Sequence, residues 1–119
     1  MRVRANLGVG GGTDIKQEPS TIGNTSTSST NSQTISGLTV GKVYIAVVST
    51  FYSTGSADFG ITSGGTIAWN KATWTATIGS AYMRNRVVCF TATATSATFK
   101  FGTGTIYGNV MCIDFGVSA

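Results

Sequence analysis

From residue 34 to its end the chain is a succession of short segments rich in β-branched and aromatic residues, broken by a turn signal at roughly every tenth residue. No stretch carries the three-to-four spacing of apolar positions that a helix needs to bury one face. Strands are expected at 34–36, 42–52, 58–62, 67–70, 73–78, 82–94, 97–102 and 109–117, with glycine-bearing breaks between most of them. The segment at 42–52, KVYIAVVSTFY, is apolar on both alternating faces near its middle. The segment at 82–94 alternates through Val88, Phe90, Ala92 and Ala94. The last strand sets Met111, Ile113, Phe115 and Val117 against Cys112, Asp114 and Gly116, the pattern of a strand with one face in a core. A turn at Asn70-Lys71 is expected to separate Trp69 from Trp74. About eight strands so spaced predict an all-β chain, an antiparallel β-sandwich of jelly-roll type.

Residues 1–33 read differently. A basic start (Arg2, Arg4) leads into a glycine run at 8–12, the single proline Pro19, and a threonine- and serine-rich tract with no charge from residue 19 to 41. Such a tract buries too little apolar area to offset its ordering entropy. The expected organisation is therefore an extended N-terminal arm, 1–33, joined to a sandwich domain, 34–119. An arm folded back on its own sheet is the alternative.

Composition narrows the function. The 119 residues have room for one core. They include no histidine and four acidic residues, so a catalytic triad, a histidine-ligated metal or a tuned acid–base pair has few parts to draw on. The expectation is a chain without enzymatic activity, metal or cofactor. Charged residues make up 10% of the chain, against about 25% in an average soluble domain. Its hydrophilic surface is thus mainly threonine and serine hydroxyls. The net charge of +4 is spread over isolated lysines and two arginine pairs, which disfavours nucleic acid as a partner. No apolar run reaches the roughly 20 residues that cross a bilayer. No hydrophobic stretch follows the N-terminal arginines to make a secretory signal, so synthesis and initial folding in a cytoplasm are expected. Cys89 and Cys112 lie in apolar runs and read as reduced, buried thiols, with a disulfide open if their side chains share a face. The glycine run at 8–12 lacks the preceding strand, following helix and Lys-Ser/Thr pair of a phosphate loop.

The segments TISGLTVGKVY (34–44), FTATATSATFKFG (90–102) and NVMCIDFGV (109–117) resemble corresponding stretches of carbohydrate-binding-module-like β-sandwiches. That scaffold is shared by bacteriophage tail-fibre tips, head fibres and capsid decoration proteins. The resemblance implies a virion surface protein that binds the major capsid protein and forms a homo-oligomer, with a trimer favoured. Sugar-binding members that hold calcium place paired acids on the last strand; here Asp114 stands alone. The partner-binding candidates are Arg2, Arg4, Leu7, Ile15 and Lys16 in the arm, and Arg84 and Arg86, which share one strand face. The alternative is a fibre-tip or carbohydrate-binding module that stacks host-surface glycans on Trp69, Trp74, Tyr82 and Tyr107, with Tyr52 a further ring of the same platform and Asn70, Asn85 or Asn109 nearby. A jelly-roll shell subunit of a small virus ranks last, because the arm is too thinly basic to neutralise a genome.

Overall fold

A computed structural model describes residues 20–24, 28–29, 31–52, 59–102 and 106–118. Nine strands run in chain order: β1 (Ser20–Asn24), β2 (Ser28–Ser29), β3 (Ser32–Ser36), β4 (Lys42–Tyr52), β5 (Gly60–Ser63), β6 (Gly65–Ile78), β7 (Ala81–Ala92), β8 (Ser96–Lys100) and β9 (Ile106–Ser118). There is no helix among them. They form two antiparallel sheets. The larger has the order β1-β9-β4-β7-β6, with β2 also on β9; the smaller has the order β3-β8-β5.

The smaller sheet lies across one face of the larger, here the inner face. On that face β4 contributes Tyr44, Ala46 and Val48, β7 Val88, Phe90 and Ala92, and β9 Ile106, Val110 and Cys112. Ile35, Ala97, Phe99 and Phe101 close the core from the other side. Phe90 stands at its centre, with the Tyr44 ring 5.7 Å away and the edge-on Phe99 ring 5.5 Å away. The Tyr44 hydroxyl accepts a 2.8 Å hydrogen bond from the Thr39 amide, which satisfies the one polar atom of a buried ring.

Two glycines are required where they stand. Gly64 has a φ of +84° and lies so close to the Ser96 carbonyl that a Cβ has no room. Gly108 lies beneath the Phe101 ring, which fills the space a side chain would take.

Three expectations need correction. Asn70 and Lys71 do not form a turn: they pair with Val88 and Val87 inside the 14-residue β6. Two β-bulges, at Ile67/Trp69 and Ala72/Trp74, absorb the irregular spacing that suggests a break in the sequence. The last strand faces the other way, with Val110 and Cys112 in the core and Met111, Ile113 and Phe115 only half buried. Residue 34 is not a boundary but the middle of β3, and β1 and β2 pair with β9, so residues 20–33 contribute strands to the two sheets. Residues 1–19 lie outside the described residues.

Candidate functional site

Register places the sequence candidates on the two faces of the larger sheet. Cross-strand partners stand side by side on one face, so the outer face reads as rows. Trp69, Cys89, Ile45 and Ile113 form one row, and Lys71, Val87, Val47 and Met111 the next. Trp74, Asn85, Ser49 and Asn109 follow. Ala76, Met83, Phe51 and Tyr107 form the last. Nothing among the described residues covers these side chains. Trp69 and Trp74 are 46% and 47% exposed, Tyr107 45% and Phe51 38%. Phe51 and Tyr107 lean on one another at 6.2 Å. Beside them a shallow cavity of about 160 Å3 is lined by Ser49, Asn85, Asn109 and Met83.

The two tryptophans share this face because of a bulge. Positions 69 and 74 are five apart, an odd interval that sets strand side chains on opposite faces. The extra residue at Ala72/Trp74 reverses that parity. Cys89 lies on the outer face and Cys112 on the inner one, so the two thiols are free and on opposite sides of the sheet. Burial pushes the Cys112 thiol up to about 12, which leaves it protonated and unreactive.

The inner face holds a second group, where the β6–β7 hairpin and the end of β4 run on past the core. Thr77, Tyr82 and Tyr52 form one row there, and Thr75, Arg84 and Thr50 the next. Tyr52 and Tyr82 stack with ring centroids 5.4 Å apart. Arg86 packs its guanidinium on the Phe59 ring at 5.2 Å and donates from Nη1 to Asn70 Oδ1 at 3.0 Å. Partial burial and the neighbouring charge of Arg84 lower its pKa.

Tyr82 is thereby separated from Trp69, Trp74 and Tyr107, which lie across the sheet. Tyr52, like Tyr82 one of the rings expected on the glycan platform, stands with the arginines instead, and Phe59, not among the expected site residues, joins them. Register across the β4–β7 pair sets Tyr52 opposite Tyr82 and beside Arg84; Phe59, just before β5, carries no such signal in the sequence. Arg2, Arg4, Leu7, Ile15 and Lys16 lie outside the described residues.

Asp114 is the single acidic residue among those described, and it is committed to Lys42 at 2.8 Å and to the Gly116 amide at 2.7 Å. These contacts hold its carboxyl below the usual range and raise the Lys42 ammonium. Among the described residues no three histidine, cysteine or acidic side chains come together as a metal site. Comparison with family models, with curated proteins and with solved structures finds no match.

Proposed function

We propose that this chain is a non-enzymatic structural subunit that associates with copies of itself through the outer face of its larger sheet. One observation carries the reading: Trp69, Ile45, Val47, Val87, Met111 and Ile113 form one apolar group on this face and Phe51, Met83 and Tyr107 a second, with Trp74 at the edge of the row of Asn85, Ser49 and Asn109 between them. Exposed apolar patches of this extent mark contact surfaces. The four strands, about 4.8 Å apart, and the four rows, about 6.8 Å apart, span about 19 by about 27 Å, roughly 500 Å2. A standard interface buries on the order of 600–1,000 Å2 per partner, so this face makes a contact just below that size. Lys71 is the one charged side chain in these rows, so a second copy meets the face with little like-charge repulsion.

The setting is the one the sequence resemblance implies, a decoration or cement protein on the outside of a phage capsid, with the jelly-roll-like domain forming a trimer. In this reading Arg2, Arg4, Leu7, Ile15 and Lys16 lead an N-terminal arm to the major capsid protein. Repeated copies supply the avidity that one thin contact lacks. Sedimentation of the full chain and of Val47→Lys tests the self-association. The chain associates and the variant, with a charge at the centre of the face, does not; a monomeric parent chain refutes the reading.

A second reading has its own support. Asn85, Asn109 and Tyr107 line the outer-face cavity and Trp74 is the cross-strand neighbour of Asn85, an arrangement of rings and amides suited to a neutral sugar. A glycan array separates the two: saturable binding that Trp74→Ala abolishes favours the fibre-tip module.

A further inference from the structure

The inner-face group is left unused by self-association, and its chemistry is different. Arg84 lines a cavity of about 100 Å3 together with Tyr52, Tyr82, Thr75 and Thr77. Its Nε is buried and has no hydrogen-bond partner among the described residues. A buried donor left unmade costs free energy that a ligand acceptor recovers. The other candidate partner for a guanidinium, Asp114, is held by Lys42. Arg86, two residues on, shares the face and adds a second positive charge, already braced by Asn70 and Phe59. Arg84 in the cleft and Arg86 beyond it on the same face, with no carboxylate beside them among the described residues, make a field that favours an anion.

We propose that this cleft binds a pyranose that carries a carboxylate, with the carboxylate on Arg84 and the sugar ring against Tyr82. The planar guanidinium offers the fork that a carboxylate fits. The Tyr82 ring is half exposed, while Tyr52 stacks on it and holds it in place, so an apolar sugar face has a fixed surface to pack on. Thr75 and Thr77 line the same cavity and supply hydroxyls that both donate and accept, as sugar hydroxyls require. A single water occupies on the order of 10–15 Å3 of such space. A cavity of 100 Å3 therefore admits a carboxylate and part of a ring, but not a folded segment. An isolated acidic side chain would engage Arg84 and leave the aromatic surface and the threonines idle.

The site differs from the glycan platform expected on Trp69, Trp74 and Tyr107, which is on the opposite face of the sheet. It does not depend on self-association through that face, so either proposal can fail alone.

The test titrates the full chain with methyl glucuronide, with the methyl glycoside of N-acetylneuraminic acid, with neutral methyl glucoside and with a short glutamate-rich peptide. The Nε–Hε resonance of Arg84 is followed by NMR. The expected result is a saturable shift with one or both acidic sugars, none with the neutral glycoside, and weakening as salt is added. Arg84→Gln reduces the affinity by about tenfold or more while leaving the rest of the spectrum in place. Tyr82→Ala, at a half-exposed position, weakens the acidic sugar as well. A neutral glycoside that binds as tightly, a peptide that shifts Arg84 when the sugars do not, or an Arg84 resonance unmoved by every probe would each overturn the assignment.

Discussion

Replacing Phe90 by alanine tests which face of the larger sheet is the inside. Both faces of β4 are apolar, and a one-residue slip in register would exchange them. Phe90 is fully buried between the Tyr44 and Phe99 rings. Its truncation removes a buried ring and leaves a cavity, a change that costs about 3–5 kcal/mol. A domain of this kind has roughly 5–15 kcal/mol in all. At about 4 °C per kcal/mol for a chain of this size, the midpoint should fall by about 12–20 °C. Ile45, on the opposite face and half buried, is the control. In dilute protein Ile45→Ala loses only part of the burial of three carbons, about 1–2 kcal/mol. Urea unfolding followed by circular dichroism, at a concentration low enough to exclude association, gives both values, with the slope m unchanged. Equal losses, or a larger loss for Ile45→Ala, would refute the assignment of inner and outer faces.

Gly108→Ala should destabilise by about 1–3 kcal/mol, because its methyl group meets the buried Phe101 ring; thermal unfolding measures it. Asp114 ionises more readily folded than unfolded, so as pH falls through the ordinary carboxylate range, near 4, the unfolded chain gains the proton first and stability declines. Asp114→Asn should flatten that part of the pH–stability curve; a slope unchanged by the substitution contradicts the Lys42 contact. In protein dilute enough to leave the outer face uncovered, maleimide should label Cys89 and spare Cys112 in the folded chain, and oxidation should leave no intramolecular disulfide, as mass spectrometry of the two peptides will show.

Much of this architecture is legible in the sequence, and the places where it is not have specific causes. The alternation through Val88, Phe90 and Ala92 marks both the strand and its buried face. In β9 the same period of two is present, yet Val110 and Cys112 are as apolar as Met111 and Ile113. Only the smaller sheet, lying on one side, decides between them. Asn70-Lys71 has turn-like composition, but the pairing of β6 with β7 runs straight through it, and tertiary contacts override local preference. β1, with the sequence STIGN, has little apolar content; its place comes from the open edge of β9. At the candidate sites, Trp69 and Trp74 are exposed on a continuous strand and not at the turn the sequence suggests, and their common face comes from a bulge, which leaves no sequence mark that separates it from a break. Arg84 and Arg86 share a face as their spacing requires. That they lie on the core side of the sheet, past the reach of the smaller one, depends on the relative lengths of β7 and β8.

Self-association through the outer face can be read most directly from the chain's own tryptophans. Both stand on that face, about half exposed, so the entire tryptophan emission reports on whether it is covered. The account predicts emission from buried rings in concentrated protein, moving to longer wavelength on dilution with the midpoint found by sedimentation. Emission that stays at the long wavelength of hydrated tryptophan at every concentration would contradict it.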